Sequence, residues 1–336
     1  MNRRTHLMLA GALALAAVPG LASAQSPAQA AYPTKPIRLV VPFPAGSAPD
    51  MLARLLAPAL NEQMGANVVV ENVPGAGGTI GVDRVVRSAP DGYTLLMSGD
   101  AALVLSGGAY GLNPPYQTLR DLAPIAQLMI TPNVLVVSND VPARSVQELV
   151  ALVRGQPGRF SYSSSGIGLT QHRAGELMNS MAGLDMVHVP NATNAWLDVI
   201  SGRTQVFFGN IAQALPFVRE GKVRALAVTS TTRASAMPEL PTVGESGLPG
   251  FEAMAWFGVL APAGTPPAVL QRLESELQKA MATPAIRERV ATKGAMPGVQ
   301  NAAGFTRVIE AETRRWAAGP APAAAATAAT TTGQKP

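Results

Sequence analysis

The chain has 336 residues, of which 47% are hydrophobic, 14% charged and 5% aromatic, and it has no cysteine. That length suits one large or two medium domains, the apolar content fills a sizeable core, and the missing cysteine excludes disulfides, thiolate metal sites and cysteine nucleophiles. The formal charge of +5 is modest and partly carried by a removable segment, so nothing in it points to nucleic acid.

Residues 1–24 read as a secretory signal peptide. Arg3 and Arg4 form a basic start, Leu7 to Val18 is apolar, and Ala22-Ser23-Ala24 is a small-x-small cleavage site. The apolar run is about a dozen residues, against the roughly 20 that span a bilayer. Thr5-His6 after the arginine pair favours ordinary secretion over twin-arginine export, and an uncleaved anchor is the alternative. Cleavage after Ala24 lowers the charge from +5 to +3 and leaves His172 and His188 as the histidines. No later stretch is apolar and long enough to cross a membrane, so a soluble protein outside the cytoplasm is expected.

Strand and helix signals then alternate. Ile37 to Phe43 is a continuous apolar run, as in a strand buried on both faces. Asp50 can cap a helix through Met64, with Met51, Leu55, Leu56 and Leu60 on one stripe, Pro58 inside it and Gly65 ending it. Asn67 to Glu71 is a second strand, followed by a Gly-rich loop and a helix ending near Ser88. Tyr93 to Met97 is a third strand. After a less regular stretch, Asn133 to Ser138 is a strand, and Ser145 with Glu148 forms a capping box that opens a helix. Strands follow at Phe160–Ser163, Met186–Val189, Gln205–Phe208 and Arg224–Thr229. Pro238 to Gly250 is a connector and Ala255 to Ala261 one more strand. A helix carries Leu270, Leu273, Leu277 and Met281 on one face. Residues 319–336 are mostly Ala, Thr and Pro, with no side chains for a core, and read as a disordered tail. The repeated β–α–β spacing predicts an α/β fold with parallel strands.

Usual catalytic signatures are missing. Gly244-Glu-Ser-Gly247 lacks the nucleophile-elbow spacing, and Gly221-Lys222 is followed by Val, not Ser or Thr. Gly75-Ala-Gly77 follows a strand, but Ile80 stands where a dinucleotide fingerprint needs its third glycine. His172 and Glu176 are four apart and could join His188 around a metal, although such a pair more often makes a structural hydrogen bond. No cofactor is expected. What remains is a set of small-residue loops between strand ends and helix starts: Pro42–Asp50, Asn72–Thr79, Ser98–Asp100 and Ser163–His172. Amides at helix N-termini attract anions without a cation. In open parallel sheets, ligands bind at the carboxyl ends of the strands. Together these loops point to a small carboxylate ligand.

Several ordered blocks also resemble one family. They include Tyr32-Pro-Thr-Lys-Pro-Ile-Arg-Leu-Val-Val-Pro-Phe-Pro, Val70-Glu-Asn-Val-Pro-Gly-Ala-Gly-Gly-Thr, Ala89-Pro-Asp-Gly-Tyr-Thr-Leu-Leu and Gln171-His-Arg-Ala-Gly-Glu. Met186-Val-His-Val-Pro, Arg224-Ala-Leu-Ala-Val-Thr and Trp256-Phe-Gly-Val-Leu-Ala-Pro-Ala-Gly-Thr-Pro continue the match. From about Tyr32 to Trp316 the chain resembles the Bug family, the extracytoplasmic solute receptors of tripartite tricarboxylate transporters. The resemblance implies a two-lobed periplasmic binding protein of the type II, Venus-flytrap kind, with a mainly parallel sheet in each lobe. Lobe one would span residues 25–131 and 254–318, and lobe two residues 132–253. It implies a monomer that takes its ligand to membrane transporter subunits or a sensor kinase. By the same resemblance, the ligand meets Phe43, Ala45, Gly46, Ser47 and Asp50 in the first loop. It meets Gly77, Gly78, Ser98, Gly99 and Asp100 at neighbouring strand ends, and Gly166, Gly168, Thr170, Gln171, His172 and Asn210 in lobe two.

The chain departs from the family pattern at several points. Pro44-Ala45-Gly46-Ser47 stands where Pro-Pro-Gly-Gly is usual. Asn191 to Trp196 replaces a segment that carries an aromatic and a cation, which brings in Asn191 and Asn194 as further ligand contacts. Gly209 stands where Asp is frequent. The expected last helix after Trp316 gives way to the low-complexity tail. Two other functions stay open on the residues alone: a sensory adaptor with an altered pocket, and a secreted hydrolase using His172, Glu176 and Asp100 as acid–base groups.

Overall fold

The first apolar run forms β1 (Ile37–Val41), which lies between parallel β2 (Val68–Asn72) and β3 (Thr94–Gly99). This computed structural model describes residues 32–104, 113–191 and 193–317. The expected signal peptide and the Ala/Thr/Pro tail therefore lie outside the described residues. Helix α1 (Ala48–Met64) follows β1 and buries Leu52, Leu56 and Leu60, and Gly65 ends it at φ 61°. It starts before the expected Asp50 cap: Ser47 holds the extended cap geometry, and Pro49 is preset for the first turn. A short 3-10 turn (Ala76–Gly78) and α2 (Thr79–Val86) lead back to β3, and α3 (Asp100–Val104) opens directly from its end.

The stretch read as irregular contains α4 (Thr118–Asp121) and then one long strand, β4 (Leu122–Val137). Pro124 and Pro132 and the lack of alternation hide it in the sequence. The strand is buried almost throughout, which removes the period-2 signal. Its first part, Leu122–Pro132, pairs antiparallel with β9 (Met254–Pro262) and with β10 (Met296–Asn301). Its second part, Asn133–Val137, pairs antiparallel with β7 (Val206–Asn210) and β8 (Arg224–Val228). Beyond β7 lie parallel β5 (Ser161–Ser164) and β6 (Val187–Pro190). The order is β2-β1-β3-β9-β4-β7-β5-β6. The outer strands of each half are parallel, as the β–α–β spacing predicts, while the strands joining the halves are antiparallel.

Four apolar clusters flank this sheet. In the first half, Leu39, Leu95 and Val259 pack under α1 and α9 (Pro267–Ala282), whose Leu273, Leu277 and Met281 are buried on one face. On the other side Val40, Leu96 and Trp256 meet Phe305 of α11 (Ala302–Ala317). Helix α10 (Pro284–Thr292) lies between α9 and β10 in the chain. In the second half, alternate residues of β4 face opposite ways. Leu135 and Val137 join Leu149 of α5 (Val146–Arg154) and Met178 of α6 (Thr170–Ala182). Val134 and Val136 join Val199 of α7 (Ala195–Ile200) and Ile211 of α8 (Ile211–Arg219). The expected cap on α5 forms: the Glu148 amide donates to Ser145 Oγ at 3.1 Å. The return bond is displaced by one residue, from the Arg144 amide to Glu148 Oε2 at 2.7 Å.

Trp196 and Gly209, two separate departures in sequence, are one packing unit. The indole stacks edge-on to Phe207 with centroids 4.8 Å apart, and its Nε1 donates to Gln213. A Cβ at Gly209 would lie 2.2 Å from that indole. The tryptophan therefore occupies the space a side chain at 209 needs. Gly209→Ala is expected to destabilise the fold by about 1–3 kcal/mol through overpacking, and by less in a Trp196→Ala background. Urea denaturation of the single and double variants measures the difference; equal losses in both backgrounds would contradict the pairing.

Candidate functional site

The first loop is held by a side-chain network. Asp50 Oδ2 accepts from the Gly46 amide at 2.8 Å, and Asp50 also accepts from Arg54 Nε and Asn72 Nδ2. Asn72 Nδ2 donates as well to the Phe43 carbonyl. Burial opposes ionisation of Asp50, yet the bonds from Arg54, Gly46 and Asn72 outweigh it and hold the carboxyl below its usual pKa. Asp50 and the Gly46 amide are thus committed to the loop, and Ala45 is exposed beside them. The Ser47 amide donates to the Pro44 carbonyl at 3.2 Å. The hydroxyl of Ser47 is buried and, among the described residues, meets no hydrogen-bond partner.

The loop before α6 satisfies itself in the same way. The Ser165 amide donates to Gln171 Oε1, the Gly166 amide to Ser164 Oγ, and the Gly168 amide to His172 Nδ1. The expected site glycines serve this geometry: Gly168 has φ 79°, and Gly77 and Gly78 have φ 66° and 100°. Gly78 is also where Phe43 and Ala102 come close, and a Cβ at Gly99 would lie 2.6 Å from the Phe257 ring. Asn191 is turned inward on its own segment, donating to Asp198 Oδ2 and accepting from the Thr193 and Asn194 amides. Asn194 caps α7. Asn210 caps α8 and donates to Thr131 Oγ1 at 3.1 Å.

Expected residues reach across the halves in two places. Asn210 lines a cavity of about 40 Å³ with Ala48, Met51, Thr131, Arg289 and Lys293, between α1, β4, α8 and α10. Such a space holds a few waters rather than an organic acid. The second meeting is between Asp100 and the start of α6. Thr170 Oγ1 donates to Asp100 Oδ2 at 3.0 Å, and Arg173 forms an ion pair with the same oxygen. Asp100 is 2% exposed and Arg173 1%. The Arg173 guanidinium also lies over the Trp316 ring at 4.7 Å and 3.7 Å from Glu312 Oε2. Burial pulls its pKa down to about 10, which leaves it charged at neutral pH. The Ser98 hydroxyl, two residues before Asp100, and the Trp256 Nε1 are buried without a hydrogen-bond partner among the described residues.

Arg173 was not among the expected contacts. It sits inside a helical motif, and its acidic partner is distant in sequence. The His172, Glu176 and His188 group is a stacked cluster. The two imidazoles have centroids 3.9 Å apart, Tyr162 donates to Glu176 Oε1 at 2.5 Å, and Ser164 Oγ lies 2.6 Å from His188 Nε2. Among the described residues, no group of three or more His, Cys, Asp or Glu side chains is placed to hold a metal ion, and no helix is long and apolar enough to cross a membrane.

This architecture, two α/β halves joined by shared antiparallel strands, is the two-lobed fold of periplasmic binding proteins. Solved structures agree. The structure described as "R. palustris Rpa4515 with adipate" has a TM-score of 0.78 at 32% identity, covering 87% of this chain and 99% of the other. "MatC (Rpa3494) from Rhodopseudomonas palustris with bound malate" gives 0.77 at 27% identity, covering 85% and 99%. "Structure of periplasmic binding protein BugD" gives 0.74 at 32%, covering 85% and 97%. Among curated relatives, "Protein BugT" of Bordetella pertussis is 35% identical over 288 residues, 85% of this chain and 88% of the other. A Pseudomonas sp. (strain P51) protein of the tcbD-tcbE intergenic region is 38% identical over 293 residues, 85% of each chain. Residues 52–319 match the family described as "Tripartite tricarboxylate transporter family receptor". The chain belongs to that family, of Bug type. It is a solute-binding receptor and not an enzyme, which removes the hydrolase reading.

The histidine cluster carries a pH dependence. Burial pushes the pKa of both imidazoles down to about 4, helped at His188 by the neighbouring His172. In the unfolded chain they protonate near the ordinary 6.5. Between these values the unfolded state binds more protons, so stability is full above about pH 6.5 and falls as pH drops. The urea midpoint should decrease from about pH 7.5 to about pH 5, and less steeply in His188→Gln. A midpoint that rises over this range would contradict the burial of neutral imidazoles.

Proposed function

We propose that the protein is exported, with cleavage after Ala24, and holds a small carboxylate in the cleft between its lobes for uptake or sensing. Lobe one comprises residues 25–131 and 254–318, lobe two residues 132–253, and the pairing switch within β4 supports this division. The observation that carries the reading is the contact of a buried carboxylate with Thr170 and Arg173 at the start of α6. This place in the cleft has the donors, the charge and the helix dipole to hold a carboxylate group. Adipate in one solved relative and malate in another support the ligand class. The unpartnered hydroxyls of Ser47 and Ser98 supply further donors from lobe one. Asp100, Thr170 and Arg173 are buried against one another, so the lobes part to admit the ligand. The protein acts as a monomer and delivers its ligand to transporter subunits or to a sensor kinase.

Thermal-shift measurements against a panel of organic, amino and aromatic acids test this reading. A cognate acid at 100 times its dissociation constant adds about 2.7 kcal/mol of stability. Thr170→Val should weaken binding of that acid by about tenfold, the loss of one hydrogen bond to a charged group, and should also lower the unliganded melting point, because the same hydroxyl serves buried Asp100 in the empty protein. A panel in which no acid shifts the melting temperature would contradict the receptor reading.

A further inference from the structure

Helix α6 begins after Leu169, which has no side-chain acceptor and makes no capping bond. Leucine is among the poorest N-cap residues, because the first amides of a helix need an acceptor. The acceptor that reaches this end comes from the other lobe. Asp100, at the end of β3, takes the Thr170 hydroxyl and the Arg173 guanidinium on one carboxylate oxygen. Arg173 is sunk into lobe one between Asp100, Glu312 and Trp316, while its Nε and Nη1 meet no hydrogen-bond partner among the described residues. Trp316 is fixed there by donating to Glu312 Oε2 at 2.9 Å, and Arg315 lies on the same ring. A cation with unused donors and a 13-residue helix without a cap together form a seat for a carboxylate.

We propose that Asp100 is a built-in stand-in for the ligand: it closes the empty receptor by occupying the seat made by Thr170, Arg173 and the start of α6, and the ligand carboxylate must displace it. The proposal rests on the carboxylate-receptor reading and adds to it Arg173 as the ligand-binding cation and Asp100 as the internal competitor. Buried ion pairs of this kind cost desolvation on formation, so water regained on opening offsets much of what is lost when the pair breaks. The empty protein is therefore held shut without being locked. Its apparent affinity is reduced by the fraction of molecules in which Asp100 is out of the seat.

The test uses the full mature chain with Asp100→Asn and Arg173→Gln, and adipate and malate as probes. X-ray scattering of the ligand-free proteins reads closure, and calorimetry reads affinity. Both variants should show a larger radius of gyration than the wild type. Asp100→Asn should bind the acids about tenfold tighter, because the competitor has lost its charge, and Arg173→Gln about tenfold weaker. A pair that were only structural would move both affinities in the same direction, and that result would overturn the proposal. So would an unchanged radius of gyration in both variants, whatever the acids do. If neither acid binds any form, scattering alone decides, and it is the ligand class of the receptor reading that fails. Should Arg173→Gln not fold, the double variant Asp100→Asn/Arg173→Gln, which leaves no unpaired charge, takes its place.

Discussion

A leucine stands at the cap of α6, and the carboxylate that serves this helix end comes from the opposite lobe. The arrangement of the cleft depends on that one contact. It brings the end of β3 against α6 and draws Arg173 into the aromatic and acidic surroundings of α11. The long strand β4, shared by both halves, makes such an approach possible. Its pairing changes from β9 and β10 to β7 and β8 near Pro132, so the halves are joined by backbone there. A crossing of this sort can bend without breaking either sheet.

The chemistry of the cleft differs from a cradle of free amides. In the small-residue loops, the amides of Gly46, Gly166 and Gly168 are bonded to Asp50, Ser164 and His172 of their own loops. Short loops satisfy themselves with whatever acceptor lies nearest, since a buried unpaired amide is costly. In the proposed reading, what the cleft offers a carboxylate is hydroxyls, one helix end and one arginine. Hydroxyls rotate and arginine bonds in a plane, so together they adapt to more than one acid while preferring a flat carboxylate.

Much of the framework is legible in the sequence. Continuous apolar runs marked β1 and β3, Ser145 and Glu148 marked the start of α5, and the 3.6-residue stripe of Leu273, Leu277 and Met281 marked α9. The first part of β4 was not, because it is buried on both faces and broken by prolines. Strand β10 was not either: most of its residues are exposed and it carries Pro297 and Gly298. Asp100 and Thr170, which the structure brings together, were legible as candidates from their places at a strand end and a helix start. Arg173 was not, since its role depends on Asp100, distant in sequence, and on Glu312 and Trp316 near the other end of the chain. The meaning of Trp196 and Gly209 was likewise hidden until packing showed that one fills the space left by the other.

The central claim is that a carboxylate seat exists at the start of α6 and that the protein fills it itself when empty. A crystal structure of the full mature chain with a bound small dicarboxylate tests it most directly. The account predicts a ligand carboxylate within hydrogen-bond distance of Thr170 Oγ1 and Arg173, with the Asp100 side chain turned away. A ligand bound elsewhere in the cleft, with Asp100 still on Thr170, would contradict it.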